Sequence, residues 1–158
     1  MSAAFRSAFL ADVPAILAHQ HAYYAGEGYA FDEAVARAAI EGLLGDPERG
    51  RLWVLAERDT DDPDDPIVGY LAVTFGWSLE WGGRDAFVDE LYLAPSHRGG
   101  GIGRTAIALA EDACRAAGVR ALHLEVEREN ARGRALYARA GFADTERLLL
   151  TRRLIPTR

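Results

Sequence analysis

The sequence predicts a mixed α/β (α+β) fold, in which a central, largely antiparallel β-sheet carries helices on both faces. Three strand-like segments follow one another in the middle of the chain with no helix between them, which favours antiparallel pairing. A strand–helix–strand succession comes after them and favours one parallel crossover. With 158 residues, of which 49% are hydrophobic, we expect one globular domain over residues 1–158.

The first half should contain one strand, two helices and then three strands. Pro14 suits the first turn of the first helix, where a missing N–H costs little. Gly82 and Gly83 favour a tight turn between the last two strands. The expected ranges are strand 4–9, helix 12–24, helix 31–44, and strands 51–57, 67–75 and 86–93. The acidic stretch 59–66, DTDDPDDP, is predicted to be a solvated loop between two of these strands.

The second half is predicted to alternate helices and strands. Apolar residues recur with helical period from Ile102 to Cys114, and Gly118 suits the position that follows a helix. Asn130 is a favourable N-cap for the next helix. The expected ranges are helix 103–117, strand 121–127, helix 130–141 and a last strand 147–155.

Composition narrows the class of protein. No apolar run approaches the ~20 residues that a membrane span requires, and the net charge of −6 comes with no basic cluster, which argues against nucleic acid as a partner. The acidic balance favours a cationic substrate. One cysteine and four histidines show no metal-ligand spacing, so we expect no metal, no internal disulfide and a cytoplasmic protein.

A glycine-rich loop is the most informative segment. Residues 97–104 read HRGGGIGR and stand between an apolar strand and a helix. Glycines let the backbone turn tightly and bring its N–H groups close to a ligand. A helix that begins there adds unpaired donors and the positive end of its dipole. The segment therefore predicts a phosphate-binding loop.

The same loop also fits a weaker pattern. Gly101, Gly103 and Ala106 match the G-x-G-x-x-A turn of dinucleotide-binding folds, and Glu125 lies where a ribose-binding acid would be expected. However, six residues separate Leu93 from Gly100, and the chain that follows is too short for several βα units. A turn that binds nothing is the other alternative.

Two motifs resemble the GCN5-related N-acetyltransferase (GNAT) superfamily. Arg98, Gly101 and Gly103 fill its R-x-x-G-x-G/A acetyl-CoA motif between a strand and a helix. Residues 129–142, ENARGRALYARAGF, are similar to a second family signature, with Gly133 standing where alanine is usual. The element order fits as well, so the resemblance covers essentially the whole chain and implies a splayed sheet and acetyl-CoA as co-substrate.

The resemblance implies which residues would hold acetyl-CoA. The loop would cradle the pyrophosphate with its backbone, while its two arginines add charge or lock the loop. The strand before it would pair with the pantetheine arm, and Asn130 would both cap its helix and contact the ligand. The implied residues are Leu91, Tyr92, Leu93, Arg98, Gly99, Gly100, Gly101, Ile102, Gly103, Arg104, Asn130 and Tyr137.

The predicted catalytic residues are Tyr137 and Glu90. Tyr137 matches a family tyrosine near the thioester sulfur, where a hydroxyl can serve the leaving thiolate. Glu90 interrupts an apolar strand and is our first choice of base, acting directly or through water. Asp89 should face the opposite side of that strand, and Glu125 is a weaker candidate.

The implied reaction passes the acetyl group directly to an amine, because Cys114 lies on a buried helix stripe and offers no covalent route. We expect a small cationic acceptor, polyamine- or aminoglycoside-like. One alternative is an enzyme that acetylates a peptide or protein amine, and another is a non-catalytic protein that senses acetyl-CoA. The sequence is also compatible with a homodimer. His19, His21, Tyr23, Tyr24 and Glu27 are expected near the acceptor, with segment 77–84 as another wall.

Overall fold

A computed structural model describes residues 3–58, 62 and 64–155. Part of the predicted loop 59–66, namely residues 59–61 and 63, lies outside the described residues. The described strands form one sheet in the order β1-β2-β3-β4-β5. They are β1 (Ala4–Ser7), β2 (Gly50–Ala56), β3 (Ile67–Ser78), β4 (Gly83–Leu93) and β5 (Ala121–His123). The first three pairings are antiparallel, and β4 and β5 are parallel.

Four α-helices of the described residues cover this sheet, and two of their ends have a clear local cause. Asp32 caps α2 by accepting from the Val35 N–H at 3.1 Å. Gly28 ends α1 with a φ of +74°, a conformation that glycine adopts without strain. The helices are α1 (Val13–Glu27), α2 (Glu33–Leu44), α3 (Ile102–Ala116) and α4 (Ala131–Arg139). No helix of the described residues is both long and apolar enough to cross a membrane.

The core consists of two apolar clusters, one on each face of the sheet. On one face, Ile16 and Ile40 of α1 and α2 pack over Leu52, Val54 and Tyr70. On the other face, α3 packs its small and apolar residues over Trp53, Leu71 and Val88, with Cys114 among them at 4% exposure. The expected mixed sheet with helices on both faces is therefore confirmed.

A β-bulge in β4 changes which side chains share a face. Ala72 pairs with Glu90 but Val73 pairs with Val88, so Asp89 is an extra residue on β4. Glu90 consequently lies on the α1 side with Tyr92, while Val88 packs on the α3 side. Simple alternation along the strand predicted opposite faces for Asp89 and Glu90. That prediction is wrong, because the bulge breaks the alternation and both residues line a cavity beneath α1 and α2.

The strands β4 and β5 part soon after they meet. Their pairing covers only Asp85–Phe87 and Ala121–His123, although β4 continues to Leu93. The expected strand over 121–127 is therefore shorter, and residues 124–127 diverge from β4. This splay opens a cleft between the last two strands of the described sheet.

The C-terminal strand predicted over 147–155 is wrong. Residues 143–155 form neither helix nor strand, and Leu148 and Leu150 are exposed. A strand needs a neighbouring edge, and the short β5 offers little of one. Arg147 instead makes a two-pronged ion pair with Glu80 at 2.8 and 2.9 Å, which ties this segment to the β3–β4 hairpin.

Candidate active site

The cleft between β4 and the segment after β5 has a volume of about 1080 Å³. Its floor is β4 from Phe87 to Leu93, and residues 124–127 form the facing wall. The glycine loop, α4 and the end of α1 complete it. Because β5 ends at His123, the cleft-side backbone edge of β4 beyond Phe87 has no strand partner. An extended ligand with amide groups can pair with such an edge.

The glycine loop presents a row of unused backbone donors. In the described part of the chain, no hydrogen bond uses the N–H groups of residues 99–103, whereas Arg104 N donates to Gly101 O at 3.0 Å. Gly99 and Gly101 have φ values of +94° and +83°, which favour glycine. Gly101 is also the N-cap of α3, so the first-turn donors and the positive helix end join the same row. The arrangement suits an anion.

Arginines surround these donors. Arg98 locks the loop, since its Nε donates to Leu93 O at 2.8 Å and its guanidinium lies 5.6 Å from the centre of the Tyr92 ring. Arg104, Arg132 and Arg139 also line the cleft, and the described residues give their guanidinium groups no hydrogen-bond or ion-pair partner. Free guanidinium groups beside free N–H groups can neutralise a phosphate-bearing ligand.

Asn130 begins α4 as predicted. Its Oδ1 accepts from the Gly133 N–H at 2.8 Å. A Cβ on Gly133 would lie 2.6 Å from Asn130 Nδ2, so glycine at this position leaves room for the capping side chain. The departure from the usual alanine thus has a local reason. Asn130 also lines the cleft.

Tyr137 lies on the cleft side of α4, one helical turn beyond Gly133. Its ring packs edge-on against Phe142, with the centroids 6.1 Å apart, and its hydroxyl has no hydrogen-bond partner among the described residues. Burial raises the pKa of the Tyr137 phenol. A phenol that stays protonated at neutral pH can donate to a charge that forms in the cleft.

Glu90 is held by three donors. Tyr70 donates to its Oε2 at 2.7 Å, Gln20 Nε2 approaches both oxygens at 3.1 and 3.2 Å, and Tyr24 donates to Oε1. The pKa of Tyr70 is raised by burial first and then by the charge of Glu90, which keeps the phenol protonated as a donor. This network fixes the carboxylate between the sheet and α1.

Asp89 has a different environment. No hydrogen bond or ion pair engages its carboxylate within the described chain, and it is exposed along the cleft. Its pKa is raised, first by desolvation and then by repulsion from Glu90 and Glu125. A carboxylate with a raised pKa and free oxygens is a better proton acceptor than an ordinary aspartate.

Acidic and aromatic side chains occupy the α1 end of the cleft. Tyr23, Tyr24 and Tyr29 contact one another, and the Tyr29 hydroxyl donates to Glu127 Oε1 at 3.1 Å across the cleft. Glu27 and Glu125 also line this region. Carboxylates therefore lie beside β4 and α1, while arginines lie at the glycine loop and α4. The charge of the cleft lining therefore changes from negative at the α1 end to positive at the glycine loop.

The structure brings most of the predicted site residues to this cleft. Glu90, Leu91, Tyr92, Leu93, Arg98, Gly99, Gly101, Gly103, Arg104, Asn130 and Tyr137 line it, whereas Gly100 and Ile102 do not. His19 instead contacts Ile67 O at 2.7 Å, and His21 stacks on Phe31. Segment 77–84 also does not line the cleft. Sequence reasoning missed Arg132 and Arg139, although their i, i+7 spacing places them on one helix face.

A family model described as the "Acetyltransferase (GNAT) family" matches residues 14–142. The chain belongs to this family. The dinucleotide-binding alternative is therefore wrong, and the mainly antiparallel sheet agrees with that, because dinucleotide folds need parallel strands.

Relatives with names or structures support the same assignment. A streptothricin acetyltransferase from Streptomyces lavendulae is 34% identical over 103 residues, which are 65% of this chain and 50% of that protein. The chain thus spans about half the length of that curated relative. An integron cassette protein from the mobile metagenome of Cole Harbour Salt Marsh is 35% identical with a TM-score of 0.82, over 97% of this chain and 91% of the other. A predicted acetyltransferase from Clostridium acetobutylicum, solved with acetyl-CoA, shares the fold at 18% identity and a TM-score of 0.79, over 95% and 96% of the two chains.

Proposed function

We propose that this GNAT protein transfers the acetyl group of acetyl-CoA to a primary amine of a small cationic acceptor. The observation that carries the proposal is the row of free N–H groups at residues 99–103, at the end of a cleft whose floor is an unpaired strand edge. Phosphate oxygens and a peptide-like arm are the two ligand features that these donors and this edge can satisfy. Acetyl-CoA contains both.

The donor would lie along β4. Residues 99–103 would bind the pyrophosphate, with Arg104, Arg132 and Arg139 supplying positive charge. The backbone of Leu91, Tyr92 and Leu93 would pair with the pantetheine amides. This placement directs the thioester toward Tyr137 and toward the point where β4 and β5 part.

The amine must lose a proton before it attacks the thioester carbon. We assign this proton to the adjacent carboxylates Asp89 and Glu90, and the Glu90 charge contributes to the raised pKa of Asp89. Glu90, the base predicted from the sequence, is oriented by its three donors. Asp89 adds a carboxylate whose oxygens are free to meet the amine, directly or through water.

The departing thiolate needs a positive charge or a proton. As the new C–N bond forms and the C–S bond breaks, the Tyr137 hydroxyl would donate to the sulfur. Because burial raises the pKa of this phenol, it holds its proton at neutral pH until the thiolate develops. Cys114 is buried in the α3 cluster, which agrees with direct transfer rather than an acyl-cysteine intermediate.

The acceptor is inferred from charge. Glu27, Asp89, Glu125 and Glu127 line the end of the cleft away from the arginines, which favours an ammonium group over an anion. The relative from Streptomyces lavendulae is named for acetylation of streptothricin, a small molecule, which is consistent with this class of acceptor.

Free-CoA release tests the proposal. Purified protein is incubated with acetyl-CoA and a panel of polyamines, aminoglycosides and peptides with free N-termini. We expect amine-dependent CoA release with at least one cationic small molecule, and a lower rate in Tyr137→Phe. Binding of acetyl-CoA without release for any amine would indicate a sensor instead, and release only with peptides would indicate a peptide acetyltransferase.

A further inference from the structure

A second, smaller cavity lies on the other side of the carboxylate pair. It has a volume of about 170 Å³ and lies between α1, α2 and the α1-facing side of the sheet. We call it the α1/α2 groove. Its lining residues are Ile16, Gln20, Ala39, Ile40, Leu43, Leu52, Tyr70, Ala72, Thr74, Asp89 and Glu90.

The groove exists because small side chains stand between larger ones. Leu52, Ala72 and Glu90 are in register across β2, β3 and β4, so the short Ala72 side chain leaves a depression in that row. Ala39 stands over it on α2 and is exposed. Most of the lining is aliphatic, while its polar groups gather at the end where Asp89 and Glu90 lie.

Asp89 and Glu90 line both this groove and the larger cleft. The β4 bulge accounts for this, because the extra residue breaks the alternation of the strand at the point where β4 and β5 part. An ammonium group beside the pair would face the donor cleft on one side and the apolar groove on the other. Gln20, only 9% exposed, also lines the groove, and its Oε1 lacks a hydrogen-bond partner in the described chain.

We propose that the α1/α2 groove is the acceptor subsite and takes a short alkyl or aryl group that carries the reacting primary amine. This inference rests on the proposed acetyltransferase function and narrows its substrate class. The occupant follows from the chemistry of the two ends: aliphatic walls bind a hydrocarbon, and the carboxylates bind its ammonium.

The size of the groove limits the occupant. An apolar cavity of roughly 150 Å³ holds a benzene molecule, so 170 Å³ accommodates about six carbon atoms. A hydroxyl group placed among Ile16, Ile40 and Leu52 would lose its water without gaining a partner. The groove therefore favours an unsubstituted alkyl amine over a hydroxylated amino sugar.

Matched amines test this specificity. CoA release is measured with ethylamine, n-propylamine, n-butylamine and 3-aminopropan-1-ol, the last having a hydroxyl where n-butylamine has a methyl group. Each buried methylene should raise kcat/KM by about 4-fold. We expect n-butylamine to exceed 3-aminopropan-1-ol by roughly 10-fold or more. Equal kcat/KM values across the four amines would overturn the proposal.

Two variants separate the groove from general effects on α2. Ala39→Leu fills the groove from an exposed helix position, so it should remove the preference for n-butylamine over ethylamine and 3-aminopropan-1-ol. Ala38→Leu, also exposed on α2 but outside the groove, is the matched control and should keep the preference. Retention of the preference in Ala39→Leu would count against the groove as its origin.

Binding distinguishes failure of this inference from failure of the proposed function. Calorimetric titration of n-butylamine into the parent and into Ala39→Leu needs no turnover. Absence of CoA release with every amine, together with groove-dependent n-butylamine binding, would refute the acetyltransferase function alone. CoA release with no dependence on chain length would refute the groove alone.

Discussion

Replacing Gly101 by alanine separates ligand binding from folding. Gly101 has a φ of +83°, and no atom lies within 4 Å of the position that a Cβ would take. The cost to the fold is therefore only the left-handed backbone strain of alanine, about 1–2 kcal/mol. In a chain of 158 residues that lowers the Tm by roughly 2–8 °C.

The same Cβ would project from the row of free N–H groups. If it prevents one of them from donating to a phosphate, the lost charge-assisted hydrogen bond is worth about 1.5–3 kcal/mol, or roughly 10- to 150-fold in the Kd of acetyl-CoA. Calorimetric titration with acetyl-CoA measures the Kd, and thermal denaturation measures the Tm.

Gly118→Ala is the matched control. Gly118 has a φ of +73°, has no atom within 4 Å of its Cβ position, and lies beyond the opposite end of α3. Gly118→Ala should lower the Tm by an amount similar to that in Gly101→Ala and leave the affinity for acetyl-CoA unchanged. A parental Kd in Gly101→Ala would refute the assignment of this loop to phosphate, and an equal loss of affinity in both variants would show that strain alone is responsible.

Three further variants address the chemistry. Tyr137→Phe should lower kcat by roughly 10- to 1000-fold with little change in acetyl-CoA affinity; a parental kcat would leave Tyr137 with a packing role. Asp89→Asn should lower kcat/KM near neutral pH. Because the pKa of Asp89 is raised in the folded state, its charge opposes folding above that pKa and not below the unfolded value. The variant should therefore stabilise the fold at pH 7 by less than about 1 kcal/mol, which raises the Tm there, and leave the Tm unchanged at pH 3. An unchanged Tm at both values would contradict this environment. Glu90→Gln should cost about 1–3 kcal/mol of stability, because its amide would face the Gln20 amide and the donor Tyr70; urea denaturation with an unchanged midpoint would disprove the network.

The features that could be predicted from the sequence depend on interactions between residues close together in the chain. The glycine loop, the capping residue Asn130 and the apolar stripe of α3 each depend on neighbours within a few residues, so their patterns predicted the elements and the donor side of the site. Tyr137 could be assigned a role because a resemblance fixed its place on α4. The predicted helix bounds differ from the observed ones by only a few residues for the same reason.

Long-range pairing decided the rest. The bulge at Asp89 arises from how β3 and β4 align. The alternation of apolar and polar residues along the strand does not reveal where an extra residue is inserted. The three donors to Glu90 come from α1 and β3, which are distant in sequence. The predicted strand over 147–155 found no edge to join, since pairing depends on a partner and not on the segment itself. The α1/α2 groove likewise exists only where Ala39 and Ala72 meet across a helix and a sheet. The sequence alone predicted the loop to which we assign the donor, and tertiary packing decided where the carboxylates and the proposed acceptor groove lie.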